Sequence, residues 1–181
     1  MANILVFDSG MGGLTVYGEI RRTLPAHNYF YCFDNAHFPY GELSEPELIS
    51  ACTGLVSHMV AAHAIDLVVI ASPNDTHYPL AKAALLAGKH VVIDKPFTLD
   101  SREARNLVSL AQEHDLQLSV FHNRRWDADF LTLQQLLHRG ELGEVYHLES
   151  HFDRFRPEVR DRWREQAVPG SGLWYDLGAH L

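Results

Sequence analysis

The chain is short of cysteine, of positive charge and of long apolar runs, and each shortage removes a class of function. Only Cys32 and Cys52 occur in 181 residues. Two thiols cannot build the disulfide framework of a small secreted scaffold, and their positions, in a strand-like and a helix-like stretch, read as free buried thiols. There are 15 Lys and Arg against 23 Asp and Glu, giving a formal net charge of -8. No basic run or interleaving of cations with aromatics offsets that balance, so nucleic acid, whose phosphates demand clustered cations, is not an expected partner. No stretch approaches the roughly 18 consecutive apolar residues of a membrane span, and Met1-Ala2-Asn3 lacks the basic start of an export signal. A cytoplasmic location without a membrane partner is therefore expected. Internal repeats, low-complexity tracts and Gly/Ser linkers are also missing.

What remains alternates between strand and helix. Residues 4–7 form an apolar run ended by Asp8-Ser9-Gly10, and residues 13–24 carry Leu14, Tyr17, Ile20 and Leu24 at helical spacing until Pro25 stops them. Further strands are predicted at 29–33, 66–71, 90–93 and 116–121. Helices are predicted at 44–64, opened by Ser44 with Glu47 as a capping box, at 75–86, ended by Gly88, and at 100–113, with Asp100 and Glu103 as its box. This alternation predicts an α/β fold: a doubly wound parallel sheet of Rossmann or flavodoxin type, with right-handed crossovers and strand order 2-1-3-4-5. Beyond residue 121 the alternation breaks. Residues 126–137 read as an amphipathic helix stopped by Gly140. Residues 143–155 read as a strand, with Val145, His147, Glu149 and His151 on one face and Tyr146, Leu148, Ser150 and Phe152 on the other. A parallel domain over 1–121 followed by a truncated α+β fragment over 122–181 is expected. A lone strand leaves its edge hydrogen bonds unmade, which offers a route to homo-oligomers.

Two sets of motifs divide the chain. Val6-Phe7-Asp8-Ser9-Gly10-Met11-Gly12-Gly13-Leu14, Phe33-Asp34-Asn35 and Pro39-Tyr40-Gly41-Glu42-Leu43-Ser44-Glu45 resemble the beginning of a glutamate racemase. From about residue 66 onward, Ser72-Pro73-Asn74-Asp75-Thr76-His77, Val92-Ile93-Asp94-Lys95-Pro96 and Trp174-Tyr175-Asp176-Leu177-Gly178-Ala179-His180 resemble the glucose-fructose oxidoreductase and inositol dehydrogenase family (Gfo/Idh/MocA) of NAD(P)-dependent enzymes. The resemblances imply a chimera joined within Asp66-Leu67-Val68-Val69-Ile70-Ala71. Both families place that strand beside strand one, so equivalent positions are joined. In the second family the region after 121 opens a large, mostly antiparallel domain, of which only the start would be present.

Three chemistries follow. In glutamate racemases Asp8-Ser9-Gly10 and Pro39-Tyr40-Gly41 would help hold the amino acid, but the reaction needs two opposed thiols. The first belongs to a Cys-Asn-Thr motif where this chain has Ser72-Pro73-Asn74, the second to a C-terminal domain not contained here, and Cys32 and Cys52 match neither. Racemase activity is expected to be absent, leaving Asp8 as a turn and helix-cap residue. The same turn also fits G-x-G-x-x-G with Asp8 at the first glycine and Gly10 and Gly13 in place, and Asp34 falls where an acidic residue would meet the ribose hydroxyls. The alternative is a plain strand-to-helix turn, because Asp8 would set a negative charge beside the pyrophosphate.

By resemblance to the oxidoreductases, Ser72, Pro73, Asn74, His77 and Asp94 belong to the NAD or NADP site. Lys95 would stabilise a developing alkoxide, and Asp176 and His180, four apart on a helix, would exchange the substrate proton. The implied substrate is a small molecule, a sugar or polyol, with little or no activity expected of a truncated chain. The alternatives are a racemase-like isomerase and a non-catalytic chimeric or designed domain. Arg124-Arg125-Trp126 and Arg154, Arg156, Arg160, Arg162 and Arg164 could face an anion, but Asp153, Glu158, Asp161 and Glu165 among them favour a salt-bridged, solvated segment. His147, Glu149 and His151 share a face by simple alternation, and no metal is expected.

Overall fold

A computed structural model of the protein describes residues 1–8, 10, 13–37, 43–151, 153, 155, 157–158, 165 and 167–180. Strands β1 (Asn3–Asp8), β2 (Asn28–Phe33), β3 (Leu67–Ile70), β4 (His90–Asp94) and β5 (Leu118–Phe121) run parallel in the order β2-β1-β3-β4-β5. That is the order the alternating pattern predicts. Helices α1 (Leu14–Thr23), α2 (Glu45–His63), α3 (His77–Leu86) and α4 (Ser101–Glu113) connect them.

The period of two along each strand divides the core. Leu5, Phe7, Val68, Ile70, Val91 and Ile93 point to one face, where they meet Leu48, Cys52 and Val56 of α2, Leu80 and Leu85 of α3, and Leu107 of α4. Ile4, Val6 and Val69 point to the other and meet Tyr17 and Ile20 of α1. Leu14 and Leu24, at the two ends of the predicted α1 stripe, are exposed.

Local signals set the helix ends. Ser44 N–H donates to Glu47 at 3.1 Å in the capping box that opens α2, and Asp100 accepts from Arg102 N–H at the start of α4. Gly88, at φ +72°, closes α3 while Lys89 N–H donates to the Ala84 carbonyl at 3.0 Å, a left-handed cap that a side chain would oppose.

Residues Met1–Phe121 and His122–Leu181 form two compact units. The second, taken by itself, is helical where its described residues have regular structure. A 3-10 turn (Asn123–Trp126) precedes α5 (Ala128–His138), and α6 (Gly172–Leu177) runs into a 3-10 turn (Gly178–His180). The helix predicted from Trp126 starts two residues later because Asp127 is extended, at φ -69° and ψ 145°. The strand predicted at 143–155 is not formed among the described residues. Alternation supplies two faces, but a strand exists only through hydrogen bonds to a neighbour. Without one, Tyr146 and Phe155 are 96% and 94% exposed. Residues 152, 154 and 156 of that stretch lie outside the described residues.

Candidate functional site

In a doubly wound sheet the carboxyl ends of the strands carry the chemistry. Asp8 ends β1 with only 7% of its surface exposed. Its carboxylate accepts a hydrogen bond from Gly13 N–H at 2.6 Å, at the start of α1. The Tyr31 hydroxyl, on β2, donates to the Gly10 carbonyl at 2.6 Å and lies 3.4 Å from the same carboxylate. Burial, then the charge of Asp8, pushes the Tyr31 pKa up to about 12. A Cβ on Gly13 would fall 2.9 Å from the Asp8 Cβ, so residue 13 must be glycine because Asp8 packs on it.

The amino terminus of α1, where a pyrophosphate would be cradled, thus already holds a carboxylate of the chain itself. Among the described residues of this turn, the Asp8 carboxylate opposes a pyrophosphate. Ser9, Met11, Gly12 and Pro39-Tyr40-Gly41 lie outside the described residues. Asp34, at the end of β2, is equally committed. It is buried, accepts from Ala36 N–H and His37 N–H at 3.1 and 3.3 Å, and pairs with His37 Nδ1 at 2.7 Å. Burial, then the nearby Asp34, raises the pKa of the half-buried Cys32 thiol, the reverse of what a nucleophile needs, and Cys52 is buried in the core.

The loops after β3 and β4 hold the remaining sites of this unit. Thr76 Oγ1 donates to the Pro73 carbonyl at 2.6 Å, so the Ser72 hydroxyl, 2.5 Å from Thr76 Oγ1, is the donor to it. Pro73 precedes a 3-10 turn (Asn74–Thr76) that leads into α3. His77 is 1% exposed; its Nδ1 is 2.7 Å from the Pro96 carbonyl and its Nε2 3.0 Å from the Ser72 carbonyl. It therefore lies between two backbone loops and not beside open space. The sequence held a signal for this, since His77, Leu80, Ala81, Ala84 and Leu85 form the buried stripe of α3. Asp94 ends β4 and accepts from Lys95 N–H at 2.8 Å, and Lys95, half-buried, precedes a cis Pro96.

In the second unit Arg124, Arg125, Trp126, Phe130 and His180 line a cavity of about 640 Å³. Arg124 also forms an ion pair with Asp127 at 2.6 Å. Asp176 is on α6 while His180 is in the 3-10 turn after it, so the tightened chain departs from the single α-helical face their spacing suggests. Arg154, Arg156, Arg160, Asp161, Arg162 and Arg164 lie outside the described residues. Glu149 lies 3.0 Å from His147 and 3.4 Å from His151, and these contacts lower its pKa. All three are exposed, and among the described residues no group of side chains could hold a metal ion.

Parallel order 2-1-3-4-5, with polar loops at the strand ends, defines a doubly wound protein of the dinucleotide-binding class. The family profile described as "Oxidoreductase family, NAD-binding Rossmann fold" matches residues 26–122, and "GFO/IDH/MocA C-terminal domain" matches residues 130–181. The chain belongs to the Gfo/Idh/MocA oxidoreductase family. It is 70% identical over 117 residues to the uncharacterized oxidoreductase YdgJ of Escherichia coli K12, covering 65% of this chain and 34% of that one. It is 44% identical over 118 residues to scyllo-inositol 2-dehydrogenase (NADP(+)) IolW of Bacillus subtilis, covering 65% and 33%. A glutamate racemase of Shewanella sp. MR-7 is 59% identical over 68 residues, 38% of this chain and 25% of that one. The structure of the YPO2259 putative oxidoreductase from Yersinia pestis matches 99% of the chain and 50% of its own, with a TM-score of 0.76 and 42% identity. The chain thus spans about a third of the length of these oxidoreductase relatives and half that of the solved one. Among the described residues no helix is long and apolar enough to cross a membrane.

Proposed function

We propose that this chain is part of an NAD(P)-dependent oxidoreductase for a sugar or polyol hydroxyl, joined at β3 to a racemase-like N-terminal third. Its cofactor affinity and activity are low because Asp8 fills the anion position of α1. The observation that carries this is the 2.6 Å hydrogen bond from Gly13 N–H to the buried Asp8 carboxylate. The chimera is supported by glutamate racemases that match over 68 to 124 residues beside oxidoreductases that match over 117 and 118. The substrate class is supported by the name of IolW. In this reading Lys95 stabilises negative charge on the substrate oxygen, and His180, with Asp176, exchanges the hydroxyl proton.

Titration with NADH and with NADPH, followed by fluorescence, tests the reading. Weak binding is expected; tight, saturable binding by the unaltered chain would contradict the role given to Asp8. Exchange of the α-proton of D- or L-glutamate in deuterated water would replace the oxidoreductase reading with an isomerase.

A further inference from the structure

His77 sits between two loops, and its surroundings ask more of it than one protonation state can give. Nδ1 is 2.7 Å from the Pro96 carbonyl and Nε2 is 3.0 Å from the Ser72 carbonyl. Carbonyl oxygens only accept, so each contact needs an N–H on the ring. Neutral imidazole has one N–H and one lone pair, whereas imidazolium has two N–H groups. In the neutral ring the shorter contact marks Nδ1 as the donor to Pro96, which turns the Nε2 lone pair toward the Ser72 oxygen.

The two carbonyls belong to the segments that follow β3 and β4. One carries Ser72, Pro73 and Asn74, the other Asp94, Lys95 and Pro96. We propose that His77 is a proton-dependent clamp between these segments, fastened to both only as the imidazolium and to the Lys95-Pro96 side alone when neutral. It is a positioning residue, since its ring is buried and both of its nitrogens face backbone carbonyls.

The charged groups acting on the ring are Asp94, at the end of β4, and Asp75, in the 3-10 turn, and both favour the imidazolium. Leu48, Cys52 and Val56 of α2 and Leu107 and Ala111 of α4, which pack in the same core layer, bring no formal charge. Burial is the largest influence and sets the pKa below the ordinary imidazole value of 6.5. The clamp therefore closes on the acid side of neutrality, and around neutral pH the Ser72 loop is held through its own hydroxyl bonds to Thr76 and Pro73.

The opening of the Ser72 loop can be read without cofactor, at the Thr76 amide, which donates to the Pro73 carbonyl at 3.0 Å. The experiment uses the full chain. Nitrogen-detected correlation spectra of the His77 ring and exchange of the Thr76 amide, corrected for intrinsic rate, are followed from about pH 8 to about pH 5. As pH falls, Nε2 should gain its proton and the Thr76 amide should become about tenfold more protected against local openings that leave the ring buried on Pro96, the scale of one charge-assisted hydrogen bond. In His77→Gln the pH dependence of that protection should vanish. A ring protonated at one nitrogen throughout, or protection that does not follow its titration, overturns the clamp; the wild-type measurement decides even where the variant does not fold. The importance of these segments for a cofactor rests on the oxidoreductase reading. A parallel NADH titration separates the two, since absent cofactor binding with a titrating clamp strikes only that reading.

Discussion

Replacing Asp8 by glycine should tighten NADH binding. The carboxylate now lies 2.6 Å from Gly13 N–H and is almost fully buried, so its charge sits on the amides that would otherwise face a pyrophosphate. Two like charges about 4 Å apart repel by roughly 1 to 4 kcal/mol between aqueous and near-surface effective dielectrics. The lower end of that range corresponds to about fivefold in the dissociation constant, and about 1.4 kcal/mol to a factor of ten. Removal of the side chain also clears the space over Gly13, where Asp8 leaves no room for a Cβ. A gain of about tenfold or more in NADH affinity, measured by fluorescence titration, is expected. Tyr31 provides an internal check. Its pKa of about 12 owes its second-largest contribution to Asp8, so the ultraviolet titration of the phenol should move down in the variant. An unchanged dissociation constant in a variant that is folded by circular dichroism and whose Tyr31 titration has moved would refute the Asp8 block.

Other outcomes follow from the same geometry. Gly13→Ala should destabilise the protein by about 1 to 3 kcal/mol through overpacking against Asp8, and much less in an Asp8→Gly background; equal costs in both backgrounds, by chemical denaturation, would remove the packing argument. The folded-state pKa of His77 lies below its ordinary 6.5, so the unfolded chain binds more protons between the two values. Its contribution to stability is present above that value and lost as pH falls through the lower folded value. His77→Phe should flatten denaturation midpoints across that window, and an unaltered slope would contradict the burial-dominated pKa. Amide exchange should be faster across residues 128–138 and 172–180 than in β1, β3 and β4, because the second unit buries little apolar surface; uniform protection would count against this. A concentration-independent monomer in sedimentation would end the expectation of pairing through a sheet edge.

The sheet was legible because its signals are local. Runs such as Leu67-Val68-Val69-Ile70 alternate across the two core layers, while Pro25, Ser44, Gly88 and Asp100 punctuate the helices. The second unit was less so. Residues 143–155 alternate as a strand would, yet no periodicity can report a neighbour that is missing. For the candidate site residues the sequence shows positions at the strand ends but not the groups that surround them. Asp34 reads as a ribose ligand from its place after β2, whereas the short polar run Asp34-Asn35-Ala36-His37 permits an Asx-type turn that consumes both of its oxygens. His77 reads as a cofactor-site residue by resemblance, and its place in the α3 stripe marks it as buried. What no stretch of sequence shows is the Pro96 carbonyl, 19 residues away, that engages its ring.

The division of the core into two unequal layers bears on how the first unit melts. The larger layer is shared across β3: Leu5, Phe7 and, on α2, Leu48, Cys52 and Val56 come from before it, and Leu80, Ile93 and Leu107 from after it. Neither flank contains enough of that layer to close it alone, and the smaller layer under α1 offers only Tyr17 and Ile20 from its helix. The stretches before and after β3 are therefore obliged to fold together. Residues 1–121 should absorb heat in one calorimetric transition, with equal van't Hoff and calorimetric enthalpies, and cleavage of the backbone near Asp66 should lower that transition as a whole without splitting it in two.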